Sequence, residues 1–400
     1  MLKIKMPTAG TPYVLSDILR AKIGLIQSRR VISQFEDVLK EYFGANNLRL
    51  VNSGTTANFI IYKVLKELRK REEQVEIILP AYTAPSLLLP IEAEALMPVL
   101  VDIDPATFNL DITKVAEKFN SKTLAVMPVH MFGLPCEVES LLELTRDTDI
   151  FILEDGASAL GTTVNGQHIG TRAPFGFYSL NRGKNVSTLA GGIITWKDSG
   201  LSGLFDKYIS ELTSLSAYSQ FSMFLKVVAL SLAVRPLTYT LLNPIVAKFK
   251  YTTLHTHFDS FQYTTMQAAL GINLWNRIEY LDQKRVENGL YLLEIFKGRD
   301  GFRIPVIPDG SRVVFNQFPI VVDDLEKRAA IVEKLRQSGI ETTTLYDHPL
   351  HHIFPKLHKT GADPYPNATY LAEHLLLLPP HAQINHRIIK EIQKVIDTIG

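Results

Sequence analysis

The chain has almost no excess charge of either sign: 42 Lys and Arg face 41 Asp and Glu, a net charge of +1. So close a balance gives no whole-molecule field to draw in nucleic acid or an anionic membrane. Cysteine is nearly missing as well. Cys136 stands alone, which excludes an internal disulfide framework and fits a reducing compartment. No basic helix or aromatic-basic stripe suits a DNA-binding regulator, and no internal repeat or low-complexity tract is visible. The opening residues, MLKIKMPTAGTPYVLSD, contain two lysines but no apolar run of signal-peptide length. What is left is a globular protein, read as cytoplasmic, with an ordinary 46% apolar and 21% charged content. Its 400 residues exceed one typical core and predict two closely joined domains.

From about residue 50, helical and strand-like segments alternate. After Ser53-Gly54-Thr55, apolar residues at Ala57, Ile60, Ile61, Val64, Leu65 and Leu68 fall on one helical face. Short apolar runs follow at Val75–Leu79, Val99–Ile103, Leu124–Val129, Ile150–Leu153, Phe175–Leu180 and Gly192–Trp196. Helices are expected between several of them, at Ile112–Phe119 and Glu137–Thr145. This alternation predicts an α/β architecture, a mainly parallel sheet flanked by helices. Ligands of such sheets bind beyond the carboxyl ends of the strands. The second unit, smaller and α+β, starts near residue 265 with one long helix expected from Met266 to Phe296. A strand-like Val313–Val322, a helix across Leu325–Ser338, a His-rich loop and a closing helix at His386–Ile399 complete it. The expected boundaries are an N-terminal segment 1–50, a large domain 51–264 and a small C-terminal domain 265–400.

An apolar insertion at about 200–258 interrupts this pattern. Residues 223–248 are its most apolar part, but Lys226, Arg235, Pro236 and Pro244 cut them into pieces shorter than the ~20 residues of a spanning helix. Packing on the protein itself or on a second subunit is the favoured reading. A one-sided helix on a membrane face, or against a lipid-like substrate, is the alternative.

Three groups carry chemistry. Ser53-Gly54-Thr55-Thr56 opens a helix, where free N–H groups and the macrodipole favour phosphate, although Ser and Thr are ordinary caps too. Glu154-Asp155 ends an apolar strand, where a carboxylate meets a ligand cation or merely starts a turn. Lys184 sits in Ser179-Leu180-Asn181-Arg182-Gly183-Lys184-Asn185, either as a loop charge or as an amine for a Schiff base. Arg182 is expected to help depress its pKa. Together they match what pyridoxal phosphate (PLP) asks for: a phosphate cradle, an acid for the pyridine nitrogen and a lysine for the aldehyde.

With these groups in order, the chain resembles the DegT/DnrJ/EryC1/StrS family of sugar aminotransferases, fold type I PLP enzymes. The resemblance rests on residues 35–44, 52–57, 80–83, 101–111, 128–133 and 154–161, and on 267–271, 338–341, 349–351 and 376–381. It implies that Lys184 forms the Schiff base with PLP and shuttles the proton. It makes Asp155 the acid at the ring nitrogen, and Ser179, Gly54 and Thr55 phosphate contacts beside Ser53. It also implies small-molecule partners, an amino donor such as glutamate and a keto or aldehyde sugar or related acceptor, and a homodimer with shared active sites. Four positions depart from the family pattern. Ala84 stands where an aromatic residue stacks on the ring, with Tyr82 as the candidate replacement, and Ser158 stands for a Gln or His near the cofactor's phenolic oxygen. Ser260 and Gln262 stand for Asn-x-Arg, which removes a fixed charge, and Leu189-Ala190-Gly191-Gly192 stands for Gly-x-Gly-Gly.

Arg182, Gln262 and His351 are the candidate substrate contacts. His348, His351, His352 and His358 cluster in one loop, but without regular ligand spacing no metal is expected. Two other readings compete with amino transfer. One is a PLP enzyme of elimination or dehydration, against which Lys184 argues because family dehydratases replace that lysine with histidine. The other is a catalytically silent, membrane-associated scaffold, which has no need for Asp155, Ser179 and Lys184 together.

Overall fold

The computed structural model describes the chain apart from residues 1–3, 9, 11–12, 234, 247–253, 359–360 and 400. Seven strands form the central sheet: β1 (Asn47–Val51), β2 (Glu76–Pro80), β3 (Met97–Val101), β4 (Thr123–Val126), β5 (Phe151–Asp155), β6 (Phe175–Ser179) and β7 (Gly192–Trp196). Their spatial order is β1-β7-β6-β5-β4-β2-β3. Pairing is parallel from β3 across to β6, while β7 runs antiparallel to both β6 and β1. The central strands are apolar without alternation because helices cover both faces, so side chains of either parity are buried.

Helices α1 (Leu15–Gly24) and α2 (Arg30–Phe43) precede the sheet, and α3 (Gly54–Leu68) follows β1. Ser53 caps α3, its Oγ accepting the Thr56 N–H, and the helix buries Ala57, Ile60, Ile61, Val64 and Leu65. In the register of the sheet, Val51 and Ser179 both pair with Gly192. The end of β1, the end of β6 and the start of β7 therefore meet at one point, and α3 begins just beyond it.

Apolar residues 223–248 fall mainly in α4 (Ala217–Ala233) and α5 (Pro236–Val246); residues 234, 247 and 248 lie outside the described ones. No helix among the described residues is long and apolar enough to cross a membrane. The long helix expected over Met266–Phe296 is two, α6 (Thr265–Trp275) and α7 (Ile278–Phe296). The chain breaks at Arg277, whose backbone (φ −134°) leaves the helical region and whose guanidinium pairs with the buried Asp17 of α1. Beyond α7, a three-stranded antiparallel sheet orders Phe302–Arg303, Phe318–Val322 and Leu375–Leu378. Helix Leu325–Gln337 packs on its strand Phe318–Val322, and the amphipathic helix His386–Ile399 packs against that helix and α7, burying Ile389, Ile392, Val395 and Ile396.

Candidate active site

Alternation along β5 sends its last two carboxylates to opposite faces. Glu154 accepts the backbone N–H groups of Gly170 (2.7 Å) and Ala173 (2.5 Å) and binds His130 Nε2 at 3.1 Å. Cys136 N–H donates to His130 Nδ1 at 2.9 Å, so the imidazole proton sits on Nε2 and points at Glu154. Glu154 is therefore fully engaged in holding the scaffold. Asp155 faces the other way, buried, with Oδ1 accepting the Ala157 N–H at 2.8 Å. Burial raises its pKa above the ordinary carboxylate value, while the Ala157 N–H and the neighbouring Lys184 and His130 side chains oppose that shift. A cation beside it would meet an acid short of partners.

Lys184 lies on the loop joining β6 to β7. Its Nζ donates to Ser158 Oγ at 2.8 Å, and burial pushes its pKa down against the attraction of Asp155. The depression comes from burial: Arg182 is exposed and its charge does not enter, contrary to the expectation from sequence. The loop is tied on all sides. Leu180 and Gly191 close its base, Tyr13 OH donates to Ser187 O (2.8 Å), Tyr263 OH to Thr188 Oγ1 (2.8 Å) and Gln267 Nε2 to Ala190 O (2.6 Å). None of these three anchors is marked by the loop's own sequence.

The residues expected to form the phosphate cradle meet where β1, β6 and β7 converge. A Cβ on Gly54 would lie 3.1 Å from Ser179 Cβ, and one on Gly192 only 2.1 Å from Ser53 O. Both glycines allow a close approach that a side chain would block. The N–H groups of Gly54 and Thr55, in the first turn of α3, have no intrahelical acceptor. Thr83 Oγ1 is buried without a hydrogen-bond partner among the described residues, a polar atom that the sequence did not single out.

The other candidates have different surroundings. Tyr82 is fully buried, its hydroxyl donating to Thr344 O and Tyr346 O (3.3 Å each) and its ring edge-on to Tyr346 at 6.0 Å. It joins the large unit to the segment 344–346, and none of its hydrogen bonds or ring contacts is with Lys184, Ser158 or Asp155. Tyr346, missed from the sequence, feels Asp155: burial first, and then the carboxylate's charge, raise its phenol pKa. Gln262 accepts from Ser214 Oγ at 2.9 Å and pairs through its backbone with Thr213 and Val51. His351 is buried and bound to Asp363 Oδ1 at 3.0 Å. His351, His352 and Asp363 approach within 4.8 Å of one another, but Asp363 already accepts from Tyr365 N–H and Thr369 Oγ1.

Two cavities flank this region. One, of about 790 Å³, runs between Ala84–Ser86 and residues 343–348, Tyr346 included. The second, of about 750 Å³, is lined by Asn52 and Arg182, chain neighbours of the cradle and of Lys184, and by α4.

A model of the DegT/DnrJ/EryC1/StrS aminotransferase family matches residues 16–219 and 245–399. The spore coat polysaccharide biosynthesis protein SpsC of Bacillus subtilis is 24% identical over 405 residues, covering 100% of this chain and 97% of that protein. A GDP-perosamine synthase of Caulobacter vibrioides is 33% identical over 172 residues, 43% of this chain and 45% of its own length. The crystal structure of the sugar aminotransferase CalS13 from Micromonospora echinospora superimposes with a TM-score of 0.77 at 20% identity, over 98% of each chain or more. That likeness establishes the α/β fold.

Proposed function

Because the chain belongs to the DegT/DnrJ/EryC1/StrS aminotransferase family, we propose that it is a PLP-dependent aminotransferase built around Lys184. It moves an amino group from a donor such as glutamate to a keto or aldehyde sugar or related metabolite. The observation that carries this reading is the convergence of three features at one end of the sheet: the Lys184 amine, the Asp155 carboxylate and the Gly54–Ser179 contact.

The residues present suit the cofactor. Gly54 and Thr55 N–H groups with Ser179 Oγ would hold its phosphate, and Asp155 would keep its ring nitrogen protonated. Ser158 would lie near its phenolic oxygen, and Ser53 maintains the cap from which the cradle starts. When bound, PLP supplies the aldehyde that carries nitrogen and a ring that takes up electron density. Lys184 contributes an amine whose depressed pKa favours the neutral form, ready to take a proton from the substrate carbon and return it. Ser158 Oγ, 2.8 Å away, aims that amine. Arg182, Gln262 and His351 are assigned to the substrate side with the donor and acceptor. The same reading includes a homodimer with shared active sites, a cytoplasmic location and a peripheral membrane contact through residues 223–248.

The purified protein is expected to show a visible absorption band that borohydride bleaches, with the reduced label mapping to Lys184. Glutamate or another common amino donor should then convert the band. Colourless protein that takes up no added PLP would refute the reading.

A further inference from the structure

The stretch that the family model passes over, residues 220–244, coincides with the apolar helices. Between Glu211 and Asp259 the sequence has no Asp or Glu, while Lys226, Arg235, Lys248 and Lys250 provide positive charge. Tyr218, Phe221, Leu225 and Leu232 of α4 are at least half exposed, and Leu237 and Leu241 extend the apolar surface along α5. Elsewhere on α4, Met223, Leu230 and Ala233 form the wall of the 750 Å³ cavity. Lys226 and Arg182 also line it, and neither has an ion-pair partner among the described residues. Asp259 is the one carboxylate among the lining residues, so that end keeps a net positive charge.

The cavity lies beside the chemistry. Asn52 precedes the cradle residue Ser53, Arg182 is two residues from Lys184, and Leu189 and Ala190 close the same loop. A nucleotide needs partners for the polar edge of its base, and buried polar groups left unpaired are costly. Beyond the two cations and the Asp259 carboxylate this wall is mostly apolar, with the hydroxyls of Tyr218, Ser219 and Ser222, and its Asn52 amide is already engaged with Asp259 O and the Phe261 N–H. An anion joined to an apolar chain matches both halves.

The geometry points to an acceptor whose keto sugar is joined through a phosphate to an apolar chain. The phosphate lies against Arg182 and Lys226, and the chain runs along Met223, Leu230 and Ala233. This rests on the transferase reading and names its acceptor class. The exposed apolar face of α4 and α5 then forms the lip by which such an amphiphile enters from a lipid surface.

The test uses the PLP-loaded enzyme and three probes in calorimetric titration: decyl phosphate below its micelle concentration, inorganic phosphate and UDP. Decyl phosphate should bind at least about tenfold more tightly than either of the others, since burial of two methylenes alone corresponds to roughly that factor. Ala229→Trp, at a position on the cavity wall, should weaken decyl phosphate about tenfold or more, and Lys226→Glu should weaken it as well. Both variants should keep the wild-type rate with the amino donor, which shows that they fold. Equal binding of decyl phosphate and inorganic phosphate, tighter binding of UDP, or an unaffected A229W enzyme would overturn the inference. So would a dimer that A229W breaks while decyl phosphate binds neither form. Failure of the transferase reading is separate: it appears as a wild-type band that no donor converts, whatever decyl phosphate does.

Discussion

Removing one hydroxyl, in Ser158→Ala, isolates what sets the reactivity of Lys184. Nζ donates to Ser158 Oγ at 2.8 Å in a site where burial already disfavours the ammonium. A hydrogen bond to a charged group is worth about 1.5–3 kcal/mol net, and one pKa unit corresponds to about 1.36 kcal/mol. If the hydroxyl accepts from the ammonium, its loss should lower the Lys184 pKa by roughly one to two units. Asp155→Asn should move it the same way, because the carboxylate's attraction raises the lysine's pKa. Competitive labelling of the apoenzyme with acetic anhydride, read by mass spectrometry on the Lys184 peptide across pH, measures the midpoint. The stability consequence has a definite sign. With the folded-state pKa depressed, the unfolded chain binds more protons between that value and the ordinary 10.5. Apoenzyme stability therefore rises with pH through that window, and S158A should widen it downwards. An unmoved midpoint would refute the reasoning. An upward shift would mean that Ser158 donates to the neutral amine instead.

Two further outcomes follow from particular contacts. Gly54→Val puts a branched side chain where even a Cβ lies 3.1 Å from Ser179 Cβ, so PLP affinity should fall by about tenfold or more as the cradle is forced open; equilibrium uptake of PLP equal to wild type would contradict the assigned cradle. His381 is buried with Nε2 donating to Pro7 O at 2.8 Å, and burial lowers its pKa from 6.5 to about 4. Its contribution is complete above pH 6.5 and lost as pH falls towards 4, roughly 3 kcal/mol over the window. His381→Gln, which keeps an N–H for Pro7, should flatten thermal stability between those pH values, and an unchanged acid slope would count against this account.

How much was legible in the chain depends on how local the deciding interaction is. Strands β2 to β7 are visible because burial on both faces makes them continuous apolar runs. β1 is not: Asn47–Val51 carries Arg49 at its centre and pairs with β7 from far along the chain. The break between α6 and α7 was equally hidden, because the partner of Arg277 is Asp17, 260 residues away. For the proposed site, residue type and order pointed to Lys184, Asp155, Ser179 and Gly54, which the fold brings to one end of the sheet. Direction was not readable. Tyr82, one residue before the buried and unpartnered Thr83, spends its hydroxyl on the 344–346 segment. The adjacent Glu154 and Asp155 are alike as sequence, and only the alternation of β5 assigns one to the scaffold and the other to the site.

The same distinction changes the meaning of Leu189. As sequence it looks like a defect, a leucine where the family pattern has glycine. In the structure it adopts φ +76°, the left-handed region that favours glycine and costs other residues roughly 1–2 kcal/mol. The turn is held by Leu189 N–H on Ser187 Oγ and by Thr188 Oγ1 on Ala190 O. In return the side chain packs partly against the α1–α2–α6 core and lines the cavity beneath α4. A glycine would leave that wall without its side chain. The departure in the lysine loop and the insertion at 220–244 are thus two sides of one surface. Leu189→Gly should therefore relieve backbone strain yet weaken decyl phosphate binding, whereas a purely local defect would be repaired with no effect on the cavity. Stability by thermal melting and the decyl phosphate titration, read together on that one variant, separate the two.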